Sequence, residues 1–174
     1  MKYLSKILIF LSIFLSLPHS AAAASKTVTI ESAASIKSVL ELTVSQAENS
    51  ELRFGNIRPS PTVTTEAGPI KISINLTCNT GQPYQVTQTI SGPLENGSGG
   101  QISPDHLKFQ SFSGKSIGTT VASPTPVTPS SQVIYVSDLQ GTSDTVQTVY
   151  NLTVPPAQAP GDYSALLTYT ASAV

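Results

Sequence analysis

The sequence predicts an all-β protein whose antiparallel strands pack as a sandwich. Apolar and polar residues alternate with a period of two in several separate stretches, which is typical of strands with one face on a core and one in water. Clusters of Gly, Pro, Asn and Ser separate these stretches and favour turns. No stretch combines a helical period with helix caps. Only 11% of the residues are charged, as is usual for exported β-proteins and unusual for cytosolic enzymes.

The first residues predict export. Two lysines precede the apolar run "ILIFLSIFLSL", and the small residues "SAAAAS" follow it. This order is that of a secretory signal peptide, which we place at residues 1–24. The alternative is a transmembrane anchor, which needs about 20 consecutive apolar residues and is therefore disfavoured. Residues 25–174 are then expected to form a single β-sandwich domain outside the cytoplasm.

The charge balance argues against a nucleic-acid partner. The chain has nine basic and ten acidic residues, for a net charge of −1. Removal of residues 1–24 takes away Lys2 and Lys6 and no acidic residue, which leaves a net charge of about −3. No basic patch is left to neutralise phosphates.

The first element of the domain is ambiguous in the sequence. Residues 32–44 include a weak helical pattern, but Leu40, Leu42 and Val44 alternate with polar residues. Strict alternation favours a half-buried strand over a helix. We therefore predict a strand here.

The clearest strand is "IKISINLTC". Its inward row consists of Ile70, Ile72, Ile74, Leu76 and Cys78. The turn "NTGQP" follows, and Tyr84, Val86 and Ile90 resume the alternation, so we predict a hairpin over residues 70–90. Cys78 is the only cysteine, and its inward phase predicts a small buried side chain. A reactive or intermolecular thiol is the alternative.

Four further strands complete the prediction. They comprise Leu107 with Phe109, "QVIYVSD" (132–138), the alternation from Val146 to Val154, and the stretch from Tyr163 to Tyr169. Residues 91–105 and 122–131 are rich in Gly or Pro and are expected to be loops outside the sheets. A total of about seven short strands separated by turns indicates a sandwich of the immunoglobulin-like kind.

The sequence offers little for catalysis or metal binding. Beyond the signal peptide, His106 and Cys78 are the only histidine and cysteine, and they lie in different predicted elements, which is too few for the usual zinc site. No nucleophile-elbow pattern, phosphate-binding glycine motif or close carboxylate pair is visible. We therefore expect no catalytic residue, no metal ligand and no cofactor.

Two stretches, "ELRFGNIRPSP" and "GPIKISINLTCNTGQPYQV", follow one another in the first half of the domain. Together they resemble the spore coat protein U domain, a family of secreted β-sandwiches related to chaperone–usher pilins. The matching positions are Phe54, Gly55, Cys78, Tyr84 and Val86. The stretch "APGDYSALLTYTASAV" is similar to the last strand of such subunits, with its entry at Gly161 and Tyr163.

The N-terminal stretch "KTVTIESAASIKSVLELTV" is similar to the start of minor pilins of the enterotoxigenic colonisation-factor type. In all, the resemblance covers residues 27–90 and 145–174. One feature departs from the family, whose members pair the strand-end cysteine with another upstream of Phe-Gly. This sequence has no cysteine before Phe54, so that disulfide cannot form within one molecule.

The resemblance implies an incomplete sandwich that accepts an N-terminal strand from the next subunit, a form of β-augmentation. The candidate donor residues are Val28, Ile30 and Ile36, within the extension 25–36. The alternative is that these residues form an ordinary first strand of a complete sandwich.

The function that the resemblance implies is that of a secreted structural subunit of a bacterial pilus or surface coat. Its expected partners are further copies of itself, other pilin subunits, a periplasmic chaperone and an outer-membrane usher, and its expected location is the periplasm and then the cell surface or fimbrium. The alternative is a self-contained adhesin or carbohydrate-binding module that recognises a host or glycan receptor through loops 91–105 and 119–131. A hydrolase is disfavoured because no catalytic set is visible.

Overall fold

The computed structural model describes residues 34–45 and 54–174. These residues contain eleven strands and one short 3-10 helix. In chain order they are β1 (Leu40–Ser45), β2 (Thr65–Cys78), β3 (Tyr84–Ile90), β4 (Leu94–Glu95), β5 (Gln101–Ile102), the 3-10 helix (Pro104–His106), β6 (Leu107–Ser113), β7 (Thr119–Thr120), β8 (Thr125–Pro126), β9 (Gln132–Val136), β10 (Asp144–Val154) and β11 (Leu167–Ala173). Within this described part of the chain, no helix is long and apolar enough to cross a membrane.

The strands form two antiparallel sheets that pack face to face. The first sheet has the order β1-β2-β10-β6-β8, and the second has the order β11-β3-β9-β7. A separate two-stranded ribbon joins β4 to β5. The predicted all-β sandwich is confirmed at this level of description.

Alternation places one apolar row of each strand in the space between the sheets. Along β10, every second residue from Asp144 to Val154 is buried, and β3 follows the same rule from Tyr84 to Ile90. The largest fully buried apolar side chains are Tyr84, Tyr135, Tyr150, Phe109, Ile74 and Ile134. Burial of such a side chain contributes about 1.5–3 kcal/mol, so the two facing rows supply the main stabilisation of the fold.

The predicted hairpin over residues 70–90 is wrong. β2 pairs with β1 and β10 in the first sheet, whereas β3 pairs with β11 and β9 in the second. Residues 79–83 therefore cross from one sheet to the other. Alternation could not distinguish the two arrangements, because both give each strand one buried face.

Two predicted loops also contain paired strands. Residues 91–105 hold the β4–β5 ribbon, and residues 122–131 hold β8, which pairs with β6. Each of these strands is two residues long, which is too short to produce a recognisable alternation in the sequence.

A β-bulge in β9 explains why two consecutive residues are buried. Val86 lies opposite Tyr135 and Thr87 lies opposite Val133, so Ile134 is the extra residue. Both Ile134 and Tyr135 are fully buried. The carbonyl of Ile134 accepts a 2.6 Å hydrogen bond from the Ser111 hydroxyl of β6, which compensates for the pairing that a bulge disrupts.

The crossing between the sheets depends on a close approach at Gly141. Gly141 is buried with φ +61°, and a Cβ there would collide with the Gln82 carbonyl oxygen. Gly81 provides a matched comparison, because its φ is +66° but no atom lies within 4 Å of the point that a Cβ would occupy. The two sites share the backbone conformation and differ in the space around them.

We expect Gly81→Ala to lower the free energy of unfolding by about 1–2 kcal/mol, the cost of a left-handed conformation. Gly141→Ala should cost about 1–3 kcal/mol more, because the neighbouring backbone must also move. Urea denaturation of the two variants tests this, and equal losses would contradict the close approach.

Candidate functional site

The edges of the two sheets differ in how they are protected from further strand pairing. β7 and β8 are only two residues long, and β8 contains Pro126. β1 carries a charged residue, Glu41, on its exposed side. β11 is seven residues long with the sequence LTYTASA, and it has neither a charged residue nor a proline. Because short length, charge and proline are the usual means of blocking an edge, β11 is the edge without such protection among the described strands.

The backbone pairing of β11 identifies the groups that face outward from the sheet. The amide of Ser91 donates to the carbonyl of Leu166, and the amide of Val174 donates to the carbonyl of Pro83. Antiparallel pairing alternates along the strand, so the even-numbered residues of β11 bond to β3. The N–H and C=O groups of Leu167, Tyr169, Ala171 and Ala173 therefore point to the free side. Among the described residues, β11 pairs only with β3.

The core is incompletely covered where β11 borders β1. The inward residues of β3 are all buried, but those of the two border strands are only half-buried and pack against the margin of the core. These residues are Leu40, Leu42 and Val44 of β1 and Leu167, Tyr169 and Ala171 of β11. We call this set the open edge. It combines backbone groups that have no partner among the described residues with apolar side chains that are partly in water.

A buried polar layer fixes β11 against the first sheet. The hydroxyls of Tyr169 and Tyr150 lie 2.7 Å apart, and the Tyr150 hydroxyl donates to Gln88 Oε1 at 2.5 Å. Burial raises the pKa of both tyrosines. Gln88 Nε2 and Thr148 Oγ1 are buried beside this layer and have no hydrogen-bond partner in the described part of the chain. These hydrogen bonds link the first sheet to the second and hold Tyr169 in place.

The predicted core strand lies where its pattern indicates. Ile72, Ile74 and Leu76 are buried, while Ile70 and Cys78, at the ends of the row, are half-buried. Cys78 Sγ lies 3.2 Å from the Thr80 hydroxyl.

The predicted donor residues are only partly within the described chain. Val28 and Ile30 lie outside it, and Ile36 lies in the non-strand segment before β1 with 86% of its surface exposed. Ile36 is thus an apolar side chain without cover among the described residues.

The residues that carry the family resemblance are spread over the fold. Tyr84 and Val86 are fully buried in β3. Phe54 is half-buried against the margin of the core, and Gly55 next to it has φ +72°. These residues support the sandwich and do not meet in a single cavity.

Gly161 and Tyr163 anchor the loop that enters β11. The Tyr163 hydroxyl donates to the Ala159 carbonyl at 2.8 Å and accepts a hydrogen bond from Gln158 Nε2 at 2.7 Å. Gly161 lies against Asn96, because a Cβ there would be 2.8 Å from the Asn96 Cβ. This packing sets the position at which β11 begins.

Asp144 is a buried charged residue that sequence reasoning missed. It is 3% exposed and accepts hydrogen bonds from the Ser113 hydroxyl at 2.5 Å, the Tyr135 hydroxyl at 3.0 Å and the Lys115 amide at 3.1 Å. Burial, followed by the contact with Asp144, raises the pKa of Tyr135. The sequence does carry one signal of this burial, because Asp144 lies two residues before Val146 and therefore in the inward phase of β10.

In the described ranges, no three His, Cys, Asp or Glu side chains are placed to hold a metal ion. His106 ends the 3-10 helix. A shallow surface depression of about 200 Å³ lies beside Asp144, with Asn75, Lys115 and Ser143 in its lining.

Comparisons with known proteins add little at the level of family. No protein-family model matches the sequence, and no curated protein matches it. Among solved structures, the chain is similar to a family 123 glycoside hydrolase from Clostridium perfringens, described in a study of glycolipid glycan hydrolysis, with a TM-score of 0.41 and 16% identity. The match covers 76% of this chain and 24% of that chain, so this protein spans about a quarter of the hydrolase.

Because several tyrosines are buried, we predict that the free energy of unfolding falls at alkaline pH. Burial raises the pKa of Tyr84 from 10.0 to about 12, and the pKa values of Tyr150 and Tyr169 are raised as well. Above pH 10 the unfolded chain therefore loses protons that the folded protein retains, and the free energy of unfolding falls as the pH rises. Each such tyrosine contributes up to about 1.4 kcal/mol per pH unit.

Tyr150→Phe removes one of these groups and should make the decline between pH 10 and about pH 12 shallower. Urea denaturation at several pH values measures both slopes. A decline with the same slope in the variant would show that Tyr150 ionises as readily in the folded protein as in the unfolded chain.

Proposed function

We propose that this protein is a secreted structural subunit of a bacterial pilus or surface coat that assembles by β-strand complementation. The observation that carries the proposal is the open edge. β11 is a seven-residue edge strand without charge or proline, and its inward side chains are only half-buried. An added strand would satisfy the free backbone groups and cover these side chains, as in other cases of β-augmentation.

The strand order supports an immunoglobulin-like topology with one position free. In that fold one sheet has the order A-B-E-D, and the other contains strands C, F and G. β1, β2, β10 and β6 correspond to A, B, E and D, and β3 and β11 correspond to C and F. The position of strand G is then the free side of β11, where the described residues place no strand.

The energetics favour a partner strand at this position. Each apolar side chain of Val or Ile size that becomes fully buried contributes about 1.5–3 kcal/mol. Each backbone hydrogen bond adds about 0.5–1.5 kcal/mol. A donor that carries Val28, Ile30 and Ile36 can supply both terms, and head-to-tail repetition of the contact builds an open fibre.

The resemblance to the spore coat U and pilin families supplies the remaining parts of the proposal. A periplasmic chaperone would protect the open edge before assembly, an usher would export the subunits, and the product would lie at the cell surface. A chain that stays monomeric and is retained by a neutral glycan would instead favour the adhesin or carbohydrate-binding alternative.

A pair of proline variants separates assembly from folding. The N–H of Ala171 points to the free side of β11, so Ala171→Pro removes no bond to β3, and proline is tolerated at such edge positions. We expect it to keep the free energy of unfolding within about 1 kcal/mol of the parent and to abolish assembly. Thr170→Pro is the control, because the alternating pairing directs its N–H to β3 and its loss should destabilise the fold itself.

Assembly is measured as oligomer ladders that survive detergent and collapse on boiling. The chain without residues 25–36 should be a folded monomer that forms no ladder. Ladders of unchanged intensity in Ala171→Pro and in the shortened chain would overturn the proposed function.

A further inference from the structure

We propose that Asn96 is a modification site at which the chain deamidates itself, and that contacts with the segment 158–164 hold this site closed in the folded protein. Asn96 and Gly97 begin the turn that joins β4 to β5. Deamidation needs only water as a co-reactant, and it converts the side-chain amide of Asn96 into a carboxylate. The fold therefore contains a covalent change that opening of one surface contact sets free.

The reaction is an attack of the Gly97 backbone nitrogen on Cγ of Asn96. The new bond closes a cyclic imide and the bond from Cγ to Nδ2 breaks. The Gly97 amide gives up its proton, and the leaving nitrogen takes up a proton and departs as ammonia. Water then opens the imide at either of its two carbonyls, which yields aspartate or isoaspartate at position 96. No group is oxidised or reduced.

Gly97 makes its backbone nitrogen accessible for this attack. The residue is exposed with φ +70°, and its amide donates no hydrogen bond to the described residues. Apart from its chain neighbours, no atom lies within 4 Å of the point that a Cβ would occupy. Glycine also adopts the conformations that ring closure needs more freely than other residues. Asn96-Gly97 is the only Asn-Gly pair in the sequence.

The side-chain amide of Asn96 is held at both of its polar atoms. Oδ1 accepts hydrogen bonds from the amides of Ser98 at 3.0 Å and Gly100 at 2.8 Å. Nδ2 donates to the Pro160 carbonyl and to the Tyr163 hydroxyl, both at 3.3 Å. The partners of a planar amide lie near its plane. Attack by the neighbouring nitrogen makes Cγ tetrahedral and moves Oδ1 and Nδ2 out of that plane, so these bonds must break first.

The Tyr163 hydroxyl is at the centre of the contacts that hold this amide. It accepts from Asn96 Nδ2 and, at 2.7 Å, from Gln158 Nε2, and it donates to the Ala159 carbonyl at 2.8 Å. Gln158 Nε2 also donates to the Gln101 carbonyl of β5 at 3.2 Å. We call these contacts of Asn96, Gln158 and Tyr163 the clasp. The clasp joins the β4–β5 ribbon to the segment that leads into β11.

A modified chain cannot form the same clasp again. The carboxylate has no proton to donate to the Pro160 carbonyl, and its negative charge lies next to that of Glu95. Isoaspartate also lengthens the main chain beside Glu95, which forms a β-bridge with Ser164. Deamidation of Asn96 therefore weakens the attachment of the segment 158–164 to the ribbon in one direction only.

Two variants open the clasp by different means. Tyr163→Phe removes the hydroxyl and its three hydrogen bonds. Gly100→Ala adds a Cβ that would lie 2.5 Å from both Asn96 Nδ2 and the Tyr163 hydroxyl, which forces these groups apart. Each variant should raise the deamidation rate of the folded protein about 5- to 30-fold. Tyr150→Phe is the control, because it also loses a buried hydroxyl but leaves the clasp intact, and its rate should equal that of the parent.

The deamidation rate is measured by mass spectrometry of the peptide that contains position 96. The full chain and the three variants are kept in mildly alkaline buffer with and without urea, and urea denaturation curves identify the conditions in which each is folded. Without urea the parent should deamidate at least about 10-fold more slowly than in urea, because the reaction waits for local opening. In urea, where the clasp is absent, all four chains should react at the same rate.

Each contrary result overturns a defined part of the proposal. Equal rates for the parent with and without urea would show that the clasp does not hold the site closed. An equal increase in Tyr150→Phe and Tyr163→Phe would show that global unfolding exposes Asn96, which would also overturn the role of the clasp. No deamidation in urea would overturn the modification site itself.

Discussion

The structure depends on one constraint, namely that the inward faces of the two sheets cover each other throughout residues 34–45 and 54–174. β10 lies at the centre of the first sheet and buries every second residue from Asp144 to Val154, opposite the equally buried row of β3. The burial of the inward side chains decreases towards the border of β1 and β11, where these side chains are half-buried. The proposed strand addition would extend to this border the same hydrophobic burial that closes the centre of the sandwich.

Buried polar groups give the sandwich a fixed alignment of its sheets. Asp144 links β10 to Tyr135 of β9, Ser111 links β6 to the bulge at Ile134, and Tyr150 links β10 to both Gln88 and Tyr169. Such networks are costly when they are partly broken. A slip of one sheet over the other would break all three links, so the position of β11 and of its open edge is defined by them.

Much of the strand content could be predicted from the sequence, because alternation is a local property. Leu40 to Val44, Ile70 to Cys78 and Val146 to Val154 all lie in strands of the predicted kind. The partners of these strands could not be predicted, since β2 and β3 bury equivalent faces whether they share a sheet or face each other. The paired residues within 91–105 and 122–131 were missed because each strand has only two residues.

Of the two parts of the candidate site, the donor and the acceptor, only the donor could be named before the structure was known. The resemblance to pilin subunits, and not the residue pattern by itself, makes Val28, Ile30 and Ile36 the candidate donor residues. The acceptor depends on β11 being an edge strand, which is a property of sheet order and leaves no mark in "LTYTASA". Asp144 was missed for a related reason, since the hydroxyls that donate to its buried carboxyl come from Ser113 and Tyr135 on other strands.

The most direct measurement of the open edge is residue-resolved amide exchange by NMR. It is made on the chain without residues 25–36, alone and after addition of a peptide of residues 25–36. The account predicts that the amides of Tyr169 and Ala171 exchange rapidly in the chain alone and slowly with the peptide, while those of Thr168 and Thr170 are protected in both states. Protection of Tyr169 and Ala171 without the peptide, or exchange that the peptide does not slow, would contradict it.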